Sequence, residues 1–210
     1  MRITFTGIKH ALGITLAAGT LAVTVPSAHA KTNSSTETLK KDTLELSLKI
    51  PPSGTTSDTV LFGAPSPEVE VCGEKKNAAI VVDLSKNVLY KYNEQGDAEC
   101  AYLVASGKKS TPTDTGLRVV THVETFPYKT APASTKRRRQ PWNYGPRIII
   151  LEKLDSKTGA RDKTGEFIHG NNNPKSLGKY ASLGCIRMDN EVIKQLAKQV
   201  HAGDLVLIKK

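Results

Sequence analysis

The sequence predicts a mostly β domain with one clear helix. From residue 78 to the end of the chain, short β-branched and aromatic runs alternate with turn residues such as Asn, Gly and Asp, as in consecutive strands. Only one stretch places apolar residues at the spacing of an amphipathic helix. The sequence contains no internal repeat, and its length suits one domain of ordinary size, so we expect a single core.

The strands are predicted from apolar runs between turns. Residues 84–87 read as a turn between the first two runs, which predicts a hairpin. A run containing three consecutive Ile residues, at 148–150, has the β-branched composition that pleated strands favour. In chain order, the strand candidates are 78–83, 88–92, 100–105, 117–126, 147–152 and 205–208.

The helix is predicted to begin at Asn190, which can cap it, with Glu191 in its first turn. It should end near Gly203. The apolar positions at helical spacing are Val192, Ile193, Leu196, Ala197 and Val200.

Residues 1–30 are predicted to be a cleavable signal peptide. Arg2 and Lys9 precede an apolar stretch at 11–25, and small residues lead to a cleavage site after Ala30. This stretch is shorter than the roughly 20 apolar residues that span a bilayer, so we expect no stable membrane span after cleavage. The protein is expected to be exported, to the periplasm or the cell wall.

Residues 31–76 are predicted to be a flexible tether, largely disordered. They are rich in Ser, Thr, Pro, Gly and charge, and such segments bury too little apolar surface to offset the entropy of ordering. Alternating apolar residues at 44–50 could instead form an edge strand. The folded domain is predicted at 77–210.

The chain is basic, with a formal net charge of +10. This suits a polyanionic surface, although a solvated basic face would give the same charge. The densest basic run lies near Trp142 and could resemble a nucleic-acid patch, but export argues against that partner. Contact with an anionic wall polymer and a plain solvated loop remain open for this run, Lys136, Arg137, Arg138 and Arg139.

Three cysteines leave one thiol unpaired if the other two form a disulfide, which an exported compartment favours. Cys72 and Cys100 could pair, although sequence cannot fix the connectivity. Cys185 follows Gly184 and precedes Arg187, whose positive charge is expected to lower the thiol pKa. Cys185 is therefore the candidate nucleophile.

A cysteine nucleophile needs a base within hydrogen-bond reach, and His169 is the best candidate. It ends a strand-like segment and precedes the turn-forming loop 170–174. His10 and His29 leave with the signal peptide, His122 falls in a predicted strand, and His201 suits the end of the helix.

These residues resemble a known signature. The segments 168–170 (Ile-His-Gly) and 182–188 (Ser-Leu-Gly-Cys-Ile-Arg-Met) are similar to the catalytic motifs of L,D-transpeptidases with a YkuD-type domain. Residues 111–116 and 144–147 resemble two further family segments, so the similarity covers about 78–210. One departure is Leu183, where many relatives have His, and this puts that histidine's positioning role in doubt.

The resemblance implies a mostly β, two-sheet sandwich-like domain with few helices. It also implies an enzyme in which Cys185, with His169 as base, forms a thioester on peptidoglycan stem tetrapeptides and cross-links third residues. The resemblance also implies that five further residues bind substrate or support the oxyanion. Among them, the Gly170 carbonyl is expected to orient the imidazole, and Arg187 is expected either to bind a substrate carboxylate or to brace its loop. The residues concerned are Gly170, Ser182, Gly184, Arg187 and Tyr144.

No cofactor or metal is expected. The sequence has no short-spaced His or Cys pair and no glycine-rich nucleotide motif. The sequence does not show which acceptor attacks the thioester. A stem amine would make the protein a cross-linker, water would make it a carboxypeptidase or endopeptidase, and a protein lysine would make it a protein-anchoring enzyme. A non-catalytic wall-binding protein is the alternative of another class.

Overall fold

The computed structural model describes residues 54–56 and 61–210. The predicted signal peptide and the possible strand at 44–50 lie outside these residues. No helix within the described ranges is long and apolar enough to cross a membrane.

Twelve strands and few helices make up this part of the chain, which confirms the predicted mostly β class. Short 3-10 turns occur at Pro141–Tyr144 and Pro174–Ser176. The elements are β1 (Glu68–Val71), β2 (Glu74–Asn77), β3 (Ile80–Asp83), β4 (Val88–Tyr92), β5 (Ala98–Leu103), β6 (Ser106–Gly107), β7 (Gly116–Thr125), α1 (Lys136–Arg139), β8 (Arg147–Leu154), β9 (Arg161–His169), β10 (Tyr180–Ser182), β11 (Ile186–Arg187), α2 (Asn190–Leu196) and β12 (Leu205–Lys209).

Eight strands form one sheet in the order β11-β9-β8-β7-β12-β3-β4-β5, and β1-β2 and β10-β6 form two small ladders. The final strand, β12, lies inside the large sheet, parallel to β3 and antiparallel to β7. Its apolar sequence suits a strand that is covered on both faces. Alternate residues of β3 accordingly point into two separate apolar clusters, Ile80 and Val82 into one and Val81 into the other.

The helix α2 packs its apolar side against the larger cluster through Val192, Ile193 and Leu196. Its N-cap is Asp189 rather than the predicted Asn190, because the Asp189 carboxylate accepts hydrogen bonds from the backbone N–H groups of Glu191 and Val192. The helix also ends at Leu196, earlier than predicted. Asn190 is thus released for a role in the site.

The ordered fold begins before the predicted boundary at residue 77. Glu68–Val71 and Glu74–Asn77 pair as an antiparallel hairpin, so the end of the predicted tether is structured. Val69 and Val71 pack against Leu117, Val119 and Leu154. This apolar contact explains why a highly charged hairpin is ordered here.

The proposed pairing of Cys72 with Cys100 is wrong in this structure, where both thiols are free. The amide of Cys72 donates to the Ser156 carbonyl, in the turn after β8. Cys100 lies in β5, at the far edge of the sheet and five strand-to-strand steps from β8. Neighbouring strands lie about 4.8 Å apart, so the separation of Cys100 from Cys72 exceeds the roughly 7 Å between Cα atoms that a disulfide can bridge.

Candidate active site

Cys185 and His169 are brought together by two neighbouring strands. β11 runs parallel to β9, with Ile186 opposite Ile168 and Arg187 opposite His169. Cys185 directly precedes β11 and therefore lies beside the end of β9. Both side chains line one cavity of about 310 Å³, so the structure places the two predicted catalytic residues at a common site.

The rest of the cavity wall is mostly polar. Two side-chain hydrogen bonds link its amides, since Asn172 donates to Asn143 over 3.0 Å and Asn143 donates to Gln140 over 3.1 Å. Besides Cys185 and His169, the lining residues are Lys136, Gln140, Asn143, Tyr144, Asn172, Leu183 and Arg187. Across residues 54–56 and 61–210, no group of three or more His, Cys, Asp or Glu side chains is placed to hold a metal ion.

The imidazole of His169 is buried, and its orientation is fixed by the next residue in the chain. Its Nδ1 lies 2.6 Å from the Gly170 carbonyl oxygen. A carbonyl oxygen only accepts hydrogen bonds, so Nδ1 carries the proton in the neutral ring and Nε2 keeps a lone pair. The predicted contact with Gly170 is thus present, and it selects the tautomer that a general base needs.

Burial lowers the pKa of His169 to about 4. The positive charge of Arg187 also lowers this pKa, whereas hydrogen bonds to the backbone of Gly170 and Tyr144 raise it. At neutral pH the imidazole is therefore uncharged and able to accept a proton.

The loop 170–174, which follows His169, is held by close approaches of Gly170 to the Asn190 side chain and to the Gly145 backbone. A side chain at Gly170 would place its Cβ only 2.4 Å from Asn190 Oδ1 and 2.9 Å from the Gly145 Cα, so both glycines allow contacts that a larger residue would block. Asn190 Oδ1 accepts a 2.8 Å hydrogen bond from the Asn171 backbone N–H. The Tyr144 ring packs beside the imidazole, with its centroid 4.9 Å from that of the His169 ring.

The thiol of Cys185 has a raised pKa, contrary to the sequence expectation. Burial is the largest cause, and the negative charge of Glu166 acts in the same direction. A hydrogen bond with the Phe167 backbone and the charge of Arg187 lower the pKa without offsetting burial. The resting pair is therefore a neutral thiol beside a neutral imidazole.

The loop that carries Cys185 is braced by Ser182, whose side chain is fully buried. Ser182 Oγ donates to the Cys185 carbonyl over 2.5 Å and accepts from the Gly184 backbone N–H over 3.1 Å. Gly184 itself has a φ of +118°, a conformation that residues with a Cβ rarely adopt. Ser182 and Gly184 thus shape the loop rather than line the cavity.

Thr113 is a supporting residue that the sequence did not single out. Its Oγ1 accepts from the Gly107 backbone N–H over 2.9 Å and donates to the Gly184 carbonyl over 2.7 Å. Thr113 itself falls in the segment 111–116 and its partner Gly184 in the segment 182–188, both of which resemble the family motifs. Only the fold, however, shows that this buried hydroxyl ties one segment to the other.

The basic run 136–139 does not act as one patch. Arg137 Nε lies 2.7 Å from the buried Glu124 carboxylate, and the Arg137 guanidinium lies 5.3 Å from the centroid of the Phe167 ring. Arg137 is therefore held within the protein, which removes it from the predicted contact with a wall polymer. Lys136 lines the cavity, whereas Arg138 and Arg139 are exposed outside it.

Residues 77–208 match the family model described as YkuD, the L,D-transpeptidase catalytic domain. The chain belongs to this family. The matched range contains both Cys185 and His169.

Two curated relatives are from Bacillus subtilis (strain 168), and both are named as L,D-transpeptidases. YqjB is 46% identical over 119 residues, which are 52% of this chain and 59% of that protein. YkuD is 51% identical over 43 residues, or 20% of this chain and 26% of that protein. The similarity to each therefore spans less than two thirds of the relative's length.

Two solved structures, the E. faecium L,D-transpeptidase catalytic domain and Bdellovibrio bacteriovorus Bd1075, are also similar. The catalytic domain of the E. faecium enzyme is 24% identical with a TM-score of 0.43, and the match covers 64% of this chain and 98% of that one. Bdellovibrio bacteriovorus Bd1075 is 21% identical with a TM-score of 0.47, and the match covers 70% of this chain and 53% of that one.

Proposed function

We propose that this family member is a peptidoglycan L,D-transpeptidase that acts through a thioester on Cys185. The observation that carries the proposal is the shared cavity of Cys185 and a buried, neutral His169 whose tautomer is set by Gly170. A neutral base beside a neutral thiol can take up the proton as the sulfur attacks.

In the first half-reaction, the Cys185 sulfur attacks the carbonyl that joins the third residue of a stem tetrapeptide to its terminal D-alanine. His169 accepts the thiol proton and returns it to the departing amine when the C–N bond breaks. The products are a thioester on Cys185 and free D-alanine. In the second half-reaction, the amine of an acceptor stem attacks the thioester and displaces the sulfur, so that a new amide bond cross-links the third residues of the two stems. The proton that the amine loses passes through His169 to the departing thiolate.

The oxyanion of each tetrahedral intermediate needs a fixed donor close to the sulfur. The Gly184 backbone N–H, a candidate from the sequence, already donates to Ser182 Oγ. We therefore assign this role to the backbone N–H of Cys185, whose carbonyl is held by the same hydroxyl. Ser182 then holds the peptide group after the nucleophile, and Thr113 Oγ1 holds the one before it through the Gly184 carbonyl.

Arg187 is suited to bind the carboxylate of the terminal residue. Its Nε is buried with no hydrogen-bond partner among the residues that the structure describes, and a buried guanidinium N–H left unpaired is costly. A bound carboxylate would satisfy it and offset the positive charge that lowers the pKa of His169. Binding a donor would thereby make the base stronger.

The site of action follows from the same proposal. Stem peptides lie outside the cytoplasmic membrane, so an exported location, in the periplasm or the cell wall, fits the predicted signal peptide. Exposed Arg138 and Arg139 are available for contact with anionic wall polymer, whereas Arg137 is not.

The test is intact-protein mass spectrometry of the full chain after incubation with a tetrapeptide donor. We expect a covalent adduct equal to the donor minus D-alanine, which disappears when an acceptor amine is added and a cross-linked product forms. Cys185→Ala should give no adduct, whereas Cys72→Ser, which alters an exposed thiol, should behave as wild type. An adduct on Cys185→Ala, or none on wild type, would refute the proposal.

A further inference from the structure

We propose that Lys136 is a specificity-determining residue, which selects donor peptides whose third residue carries a free side-chain carboxylate over those in which that group is amidated, while Arg187 holds the terminal carboxylate that both donors share. The inference rests on the proposed function, because it concerns the donor that Cys185 attacks.

The charge of the cavity supports this selection. Lys136 and Arg187 are its two charged lining residues, and none of the lining residues, which all lie in the described part of the chain, is acidic. His169 adds no charge at neutral pH because its pKa is about 4. The nearby Glu166 carboxylate is held 2.9 Å from Arg118 Nε, so two positive charges face the substrate without an internal counter-ion.

The neighbouring Arg137 explains how one lysine of a basic run reaches the site. Arg137 anchors α1 through Glu124 and the face of Phe167, and consecutive residues of a helix point in different directions. Lys136 is thereby turned to the cavity, while Arg138 and Arg139 are exposed elsewhere. The anchor makes the position of Lys136 a property of the fold.

Two cations on separate elements fit two separate carboxylates. Arg187 lies opposite His169 in the strand register, so it is next to the scissile bond and suits the carboxylate of the terminal residue. Lys136 comes from α1 and is free to meet an anion on the third residue. Its ammonium is a point charge, so converting that carboxylate to a carboxamide removes most of the attraction.

The experiment measures kcat/KM for a matched pair of tetrapeptide donors that differ only in whether the third residue's side-chain carboxylate is free or amidated. For wild type we expect a preference of about three- to tenfold for the free acid, since partly exposed ion pairs are worth little more. Lys136→Gln should reduce this preference to within about twofold, by raising KM for the free acid and leaving the amidated donor unchanged. Lys136→Arg should restore it.

Arg138→Gln is the matched control, because it removes a cation from the same short helix outside the cavity, and its preference should equal that of wild type. The wild-type preference should also shrink at high salt. Equal use of the two donors by wild type, or an equal loss on both donors in Lys136→Gln, would overturn the inference. If wild type formed no Cys185 adduct with either donor, the proposed function would fail instead.

Discussion

The hydroxyl of Ser182 donates a 2.5 Å hydrogen bond to the carbonyl oxygen of Cys185, the residue three positions later in the chain. Ser182 Oγ also accepts a hydrogen bond from the Gly184 backbone N–H over 3.1 Å. One buried side chain thus holds the peptide group that follows Cys185 and the one that precedes Gly184. Because the proposed reaction needs the sulfur of Cys185 in a set geometry, this brace is expected to link the local fold to the rate.

Replacing Ser182 with Ala should therefore reduce both stability and activity. The variant leaves the Gly184 N–H and the Cys185 carbonyl without this partner, at a cost of about 1–3 kcal/mol in the free energy of unfolding. We expect kcat to fall at least about tenfold with little change in KM, since the loop geometry acts on the reacting atoms. Urea unfolding and steady-state kinetics measure the two effects. Thr158→Ala, in the exposed turn after β8, is the control.

Thr113→Val tests the second brace of the same loop. Valine keeps the shape of threonine but loses the hydroxyl that joins the Gly107 N–H to the Gly184 carbonyl. We expect a loss of about 1–3 kcal/mol in unfolding free energy and a lower kcat. Thr115→Val, at an exposed position on the same segment, should leave both unchanged. Wild-type kinetics in Thr113→Val would show that the brace is not needed.

The order of elements was largely predictable, because strands such as β4 combine a β-branched and aromatic run with clear turns on either side. The pairing of His169 with Cys185 was also predictable from its motifs. Register was not, since it arises where β11 adds to β9 and depends on contacts between distant residues. Sequence patterns report local preference and apolar period, but they do not report which strands become neighbours.

The errors concern burial and long-range contacts. Arg187 led us to expect a lowered Cys185 pKa, but the effect of burial is larger and depends on the whole fold. Asn190 has the side chain of a helix cap, yet Asp189 holds that position and leaves Asn190 to bind the Asn171 amide. Arg137 lies in a basic run that the sequence places on the surface, but in the folded chain its guanidinium forms an ion pair with the buried Glu124 carboxylate.

The buried imidazole predicts how stability changes with pH. The pKa of His169 is about 4 in the folded protein, below its ordinary value of 6.5, so between these values the unfolded chain binds a proton that the folded chain does not. The resulting stability is fully present above pH 6.5 and is lost as the pH falls towards 4, by up to about 3 kcal/mol. Urea unfolding at pH 7 and pH 5 measures it.

The comparison variant for this prediction is His169→Gln, which cannot titrate and should lose less stability between pH 7 and pH 5 than wild type does. His201→Gln, which changes an exposed histidine, should retain the wild-type dependence. If wild type and His169→Gln lost the same amount of stability, the acid sensitivity would have another origin.

The neutral state of the pair predicts the reactivity of the free thiol. Because burial raises the Cys185 pKa above its ordinary value of 9.0, alkylation of Cys185 by iodoacetamide should still accelerate as the pH rises past about 9. Peptide mapping by mass spectrometry follows each cysteine separately, and Arg187→Gln should slow Cys185 further, since the arginine charge favours the thiolate. A Cys185 rate that is already constant from pH 6 upwards would instead indicate a preformed thiolate and imidazolium. In that case the first proton would already lie on His169 before the donor binds, and the proposed uptake of that proton during the attack would be wrong.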